Sequence, residues 1–184
     1  MRKSINSLIK MAMWVAVVAF VLRCAISYKL IQSGVSLYSL YGYAGEAIGI
    51  AAVIMLLYEK WFWKYIPFSK IPNISGKYNG TIKSDYDKKI RQANIVIRQT
   101  RLSIEIYFQT DESTSRTVSG TIENICNENE LIYTFMNEPK AMHRSHSGIH
   151  YGTARFILNS KDKLTGNYFT DRKTNGEMEF TKVK

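Results

Sequence analysis

Residues 44–78 read AGEAIGIAAVIMLLYEKWFWKYIPFSKIPNISGKY, and the change of character along this stretch decides the architecture. Its first part, through Tyr58, is almost free of polar side chains and reads as membrane-embedded. Trp61, Phe62, Trp63 and Tyr65 follow, amphipathic rings of the kind that settle at headgroup level, with Lys60 and Lys64 placed to reach lipid phosphates. Pro67 and Pro72 then break the helical run. Beyond Pro72 the apolar residues alternate instead of coming in blocks. The stretch is the junction between a membrane anchor, residues 1–66, and a β domain, residues 71–184.

Upstream, Met11–Leu22 (MAMWVAVVAFVL) is free of charge and follows a basic flank of Arg2, Lys3 and Lys10. Signal peptides begin in the same way. No small-x-small cleavage pattern follows, however; the next residues are Arg23 and Cys24. Extended to Leu8 and Ile31, the run reaches the ~20 residues that a membrane span requires. Two transmembrane helices are therefore expected, at about 8–30 and 40–62, joined by an uncharged connection that contains Gly34. Arg23 must then snorkel or find a partner. Lys and Arg are concentrated before the first helix and after the second (Lys60, Lys64, Lys70, Lys77), against only Arg23 and Lys29 near the connection, which predicts both termini on the cytoplasmic side. Within the second helix Gly42, Gly45 and Gly49 fall on one face, where small residues let helices approach closely in lipid. Glu46 lies beside that face as a candidate assembly residue, or as a carboxylate of no consequence if it sits at the interface.

The net charge of +10 is concentrated in the anchor. A basic anchor suits an anionic leaflet better than a nucleic-acid groove, so no DNA or RNA partner is expected. Cys24 and Cys126 fall on opposite sides of the junction, which argues against a disulfide and for a reducing compartment.

The β pattern starts at Ile74 and repeats about eight times: Gly76–Ile82, Ala93–Gln99, Leu102–Phe108, Arg116–Asn124, Leu131–Phe135, Ile149–Leu158, Leu164–Thr170 and Gly176–Phe180. Turn-forming clusters (SDYDKK, DESTS, NENE, NSKDK, RKTNG) separate the segments, and only Glu138–Gly148 is a longer loop. The expected fold is a two-helix transmembrane hairpin followed by a small up-and-down antiparallel β-barrel of about eight strands, whose interior holds side chains or one small ligand.

The chain has no Gly-rich phosphate loop, no G-x-S-x-G and no H-E-x-x-H, and no feature argues for an enzyme or a cofactor. His143, His146 and His150 cluster in and after the long loop without a fourth metal ligand at a telling spacing, and read as surface histidines rather than a metal site. The inward strand faces are more informative. They carry Tyr78, Gln99, Tyr133, Tyr168 and Thr170 among apolar residues, with Arg172 just beyond. Tyrosines that stack and an arginine that meets phosphate would suit a planar, phosphate-bearing ligand, with Arg98, Arg144 and Arg155 as the next cationic candidates. Buried tyrosines with bonded hydroxyls are equally ordinary core.

Two membrane helices, the aromatic and lysine junction, and the motifs PNISGKYNG, IRQT and LTGNYFTDRKTNGEMEF together resemble the membrane-anchored β-barrel effectors of bacterial CBASS antiphage defence, which are CD-NTase-associated proteins. The resemblance spans essentially the whole chain. It implies a multi-pass protein of the bacterial inner membrane with a cytoplasmic barrel. That barrel would bind a cyclic dinucleotide or related cyclic oligonucleotide made by a partner CD-NTase. Ligand-driven homo-oligomerisation in the bilayer would disrupt the membrane and kill the infected cell. The alternatives are a membrane-tethered fatty-acid carrier and a structural partner of another membrane protein with a packed barrel.

Overall fold

The computed structural model describes residues 2–31, 36–65, 71–158, 160 and 162–183; Gly34, Pro67 and Lys70 lie outside them. The chain divides into two units, residues 1–66 and 67–184.

The first unit is a pair of helices, α1 (Arg2–Ile31) and α2 (Leu37–Lys60), followed by a short 3-10 turn at Phe62–Tyr65. Segments Ile5–Tyr28 and Leu37–Lys60, 24 residues each, are long and apolar enough to cross a membrane. At ~1.5 Å per residue each reaches about 36 Å, enough for a ~30 Å hydrocarbon layer. Both helices start earlier than the apolar pattern alone predicts. For α2 the reason is Ser36, whose Oγ accepts a hydrogen bond from Ser39 N at 3.2 Å and caps the first turn. Ala47 and Ala51 are the buried residues of α2, one turn apart on one face. Gly42, Gly45 and Gly49 are exposed, and a Cβ added at any of them would meet no atom within 4 Å.

The second unit is a closed barrel of β1 (Gly76–Ser84), β2 (Ile90–Gln99), β3 (Ile104–Thr110), β4 (Ser113–Ile125), β5 (Glu128–Pro139), β6 (His150–Ile157), β7 (Lys163–Thr170) and β8 (Asn175–Lys182). Each strand is antiparallel to the next, and β8 closes on β1 from Tyr78↔Lys182 to Ser84↔Gly176. Alternation explains the core, because every second residue points inward. Ala93, Ile95 and Ile97 of β2 face Ile106 and Phe108 of β3, with Leu131, Tyr133 and Phe135 on β5, Phe156 on β6 and Phe180 on β8. Phe108, Phe180 and Phe156 form a chain of edge-to-face rings at 5.8 and 6.1 Å, and Phe156 stacks on Tyr133 at 6.2 Å.

Three strands depart most from the sequence reading: β3 is shifted, β4 is longer, and β5 runs on through Glu138 and Pro139, which the sequence reading places in the long loop. The turn before β3 is set by Thr100, which donates N–H to Ser103 O and accepts Ser103 N–H on its hydroxyl, so Leu102 is a turn residue and β3 begins at Ile104. The DESTS cluster supplies only a two-residue turn, Asp111 and Glu112. Thr110 Oγ1 accepts the N–H groups of Glu112 and Ser113, and Ser113 and Ser115 join β4. The next hairpin turns through Cys126 and Asn127, both in the left-handed region (φ 50° and 69°), which is the type I′ pattern that matches strand twist.

Glycine sets the sharp coiling at one ladder in particular. A Cβ on Gly166 would lie 1.9 Å from Arg155 O and 2.8 Å from Phe156 Cα, both backbone atoms. Gly166→Ala is therefore expected to destabilise the barrel by about 2 kcal/mol or more, because the β6–β7 ladder must part to admit the methyl group. Urea denaturation checks this, and an unchanged midpoint would contradict it.

Candidate ligand-binding site

The two ends of the barrel differ. The chain enters at the end marked by Gly76, Gln99, Leu131 and Leu164, and here the barrel is plugged. Ile74, 1% exposed, donates its N–H to Gln99 Oε1 at 2.8 Å, and Gln99 Nε2 donates to Pro72 O at 3.1 Å. Tyr78 Oη donates to Ile74 O at 2.9 Å, and burial pushes its phenol up to about 12, so it remains a donor. Tyr78 and Gln99, expected among the ligand contacts, are thus spent on fastening the incoming segment. Gln99→Ala would strand the buried Ile74 N–H and is expected to cost about 1–3 kcal/mol of stability. Ligand affinity of the folded protein should not change, and a matching loss of affinity would return Gln99 to the ligand site.

The opposite end is open and holds a cavity of about 410 Å³. Phe108, Tyr133, Phe135 and Met178 form its apolar part. Tyr168 and Thr170 at the end of β7, and Arg172 in the β7–β8 turn, continue the wall. Four of the six predicted ligand residues, Tyr133, Tyr168, Thr170 and Arg172, are brought together here. Burial raises the phenol of Tyr133, and burial likewise raises Tyr168 against the opposing effect of a hydrogen bond with Ser84. Both rings are therefore neutral donors near pH 7. Thr170 Oγ1 is 2.7 Å from Thr174 Oγ1, which closes the β7–β8 turn beneath Arg172. Arg172 Nη1 donates to Ser147 Oγ at 2.7 Å, and among the described residues its guanidinium makes no ion pair.

The cavity also holds groups that sequence reasoning did not single out. Arg91 points inward at the start of β2, held by Asp87 at 2.6 Å and Glu112 at 3.0 Å. Hydrogen bonding to Arg91 holds the Asp87 carboxyl down at about 2. Asn137 Nδ2 donates to Ser113 Oγ at 3.0 Å and to Ser115 Oγ at 2.9 Å, tying β5 to β4 along the rim. The readable signals were the i, i+4 spacing of Asp87 and Arg91 and the inward parity of Ser113 and Ser115. The three histidines line the mouth as well, and among the described residues no group of three His, Cys, Asp or Glu could hold a metal ion.

The helix pair carries a polar cluster at Arg23. Arg23 Nε donates to Glu46 Oε2 at 2.6 Å and Nη1 to Ser27 Oγ at 2.7 Å, with the guanidinium 4.5 Å from the Tyr43 ring centroid. Of the two routes open to Arg23, pairing is the one taken.

Comparison with known proteins matches residues 69–182 to the family described as "Cap15, cyclic dinucleotide receptor domain", a stretch containing all eight strands and the whole cavity. The chain belongs to the Cap15 family. A Cap15 relative, CD-NTase-associated protein 15 of Staphylococcus schleiferi, is 32% identical over 189 residues, covering 100% of both chains, so the match takes in the helices as well as the barrel. Among solved structures, two redesigned β-barrels overlay at TM-scores of 0.47 and 0.46, with 8% and 12% identity. They cover 60% and 59% of this chain and 92% and 94% of their own. The Cap15 match makes the barrel a receptor domain, and the open-end cavity lies within the matched stretch.

Proposed function

We propose that the open-end cavity binds a cyclic dinucleotide supplied by a partner CD-NTase, and that binding drives association of the membrane helices. The observation that carries this reading is Arg172, a guanidinium whose partner among the described residues is a serine, set with Tyr168 and Tyr133 in the wall of the Cap15 domain. A guanidinium meets a phosphodiester oxygen with charge-assisted hydrogen bonds, while the rings offer faces for bases and hydroxyls for their edges. Thr170 shapes the turn that holds Arg172. A fatty-acid carrier would want an apolar cavity, whereas this one is rimmed by Ser84, Ser113, Ser115, Asn137 and a three-membered charge cluster.

In the same proposal both helices span the bacterial inner membrane with both termini in the cytoplasm. The open face of Gly42, Gly45 and Gly49 supplies a contact for further copies, with Glu46 beside it. Homo-oligomerisation then disrupts the bilayer and kills the infected cell. The test is a thermal-shift panel on the full chain in detergent. Cyclic di-AMP, cyclic di-GMP, cyclic GMP–AMP and oleate are compared at concentrations well above micromolar. Stabilisation by at least one cyclic dinucleotide and not by oleate is expected, since a ligand at 100 times its Kd adds about 2.7 kcal/mol. Stabilisation by oleate alone would overturn the reading in favour of a lipid carrier.

A further inference from the structure

We propose that Glu112, held in place by Arg91, reads a base of the cyclic dinucleotide and selects guanine. The inference rests on the ligand reading above and concerns which base the cavity accepts.

The fold builds one wall of the cavity from charged groups. The β2–β3 ladder ends at Ala93↔Thr110, and beyond it the chains run on to Arg91 on one side and Glu112 on the other. Arg91 Nε lies 3.0 Å from Glu112 Oε1. Asp87 takes the other end of the guanidinium, where Nη1 donates to Oδ1 at 3.1 Å and Nη2 to Oδ2 at 2.6 Å. These contacts fix the guanidinium plane and, through it, the Glu112 carboxylate. Each Nη keeps an N–H to spare, and Glu112 Oε2 has no partner among the described residues. The Glu112 side chain is 48% exposed, within reach of a ligand, whereas Asp87 at 22% is occupied by Arg91. Lys88, Lys89, Lys140 and Lys173, from the turns around the mouth, are exposed and form no part of the lining. Besides the three histidines, the charged side chains that line the cavity are Asp87, Arg91, Glu112 and Arg172.

This placement separates two chemistries. In the closed order of strands, the β3–β4 turn and the β7–β8 turn lie on opposite sides of the mouth. A phosphodiester held by Arg172 leaves a base to face Glu112, and the carboxylates of Glu112 and Asp87 repel phosphate from their own wall. A base edge instead brings N–H donors to that wall. Guanine presents N1–H and an N2 amino hydrogen side by side, a spacing that meets the two oxygens of one carboxylate. Oε1 can accept one of them while still bonded to Arg91, because each carboxylate oxygen has two lone pairs. Guanine O6, next to N1–H, then accepts from a spare N–H of Arg91. Adenine offers a single donor, its N6 amino group, and turns the N1 lone pair toward the second carboxylate oxygen. Uracil flanks its N3–H with two carbonyls, which the carboxylate also repels. Acceptors left facing one another inside a cavity are what a hydrogen-bonding site rejects most strongly.

The experiment is calorimetric titration of the full chain in detergent with cyclic di-GMP, cyclic GMP–AMP, cyclic di-AMP and cyclic di-UMP at one pH and salt concentration. Cyclic di-GMP is expected to bind at least about 10-fold more tightly than cyclic di-AMP or cyclic di-UMP. Cyclic GMP–AMP should fall within a few-fold of cyclic di-GMP, because one guanine is enough. The variant E112Q keeps one acceptor and gains a donor, which complements N6–H and N1 of adenine. It is expected to weaken cyclic di-GMP binding about 10-fold or more while cyclic di-AMP binding holds or improves. A purely structural role for Glu112 would weaken both ligands alike. E112A, which offers no hydrogen bond, should bring the two affinities within about threefold of each other. Wild-type protein that binds cyclic di-AMP or cyclic di-UMP as tightly as cyclic di-GMP would overturn the proposal and leave the ligand reading intact. Equal losses for cyclic di-GMP and cyclic di-AMP in E112Q would do the same. Absence of heat with every cyclic dinucleotide would overturn both.

Discussion

Arg172→Ala is expected to weaken cyclic dinucleotide binding roughly 10- to 150-fold while leaving the barrel folded, as a charge-assisted hydrogen bond contributes about 1.5–3 kcal/mol. The side chain stands exposed in the β7–β8 turn and donates to the neutral Ser147, so among the described residues its removal strands no carboxylate and opens no core. Arg172→Lys should recover only part of the loss, because an ammonium cannot reproduce the planar fork that meets two phosphate oxygens. The other cations considered from sequence do not compete. Arg144 and Arg155 are paired with Glu138 and Glu130, and Arg98 lines a groove on the outer wall with Glu105 and Tyr107. Titration at matched salt measures the effect. Wild-type affinity in the alanine variant would move the phosphate to Arg91, which would first have to leave Asp87 and Glu112.

The second large effect is expected in the membrane. Glu46→Gln should leave ligand affinity unchanged and reduce permeabilisation several-fold. Arg23 and Glu46 neutralise one another across the helix pair, and their side chains remain 38% and 52% exposed, so the pair is available to further copies. When copies associate through the open glycine face, ion pairs gather in a low dielectric and recruit water, which is a leak. The amide keeps the shape and removes the charge. Gly45→Leu and Gly49→Leu should act in the same direction by preventing close approach, since nothing within the two-helix unit would obstruct the added side chain. Ligand affinity of the purified protein and dye entry into cells must be measured together. Permeabilisation at the wild-type rate in all three variants would rule out this face as the assembly surface.

The fold was legible because period-two alternation and turn chemistry survive without tertiary context. Seven alternating segments and the polar segment Arg116–Asn124 became eight strands, and their short links forced neighbouring antiparallel pairing. The strand boundaries were less legible where hydroxyls decide them. Thr100 and Thr110 each close a turn through the side chain, and that moved β3 and lengthened β4 in ways no hydrophobic pattern records. The site was partly legible for a related reason. Alternation reports which face a residue occupies but not at which end of the barrel it sits. Tyr78 and Gln99 share the inward face with Tyr133 and Tyr168, yet lie at the plugged end, where their polar atoms fasten Ile74. Arg91 escaped notice because an inward arginine becomes plausible only once Asp87 and Glu112, from two different turns, are seen to hold it.

Hydrogen–deuterium exchange of the full chain in detergent, with and without a saturating cyclic dinucleotide, tests the central claim most directly. The account predicts that ligand slows exchange in the four turns of the open end, residues 85–89, 111–112, 140–149 and 171–174. Residues 71–78 and 99–103 at the plugged end should exchange as before. Protection confined to the plugged end, with the four turns unchanged, would contradict it and move the ligand to the other side of the barrel.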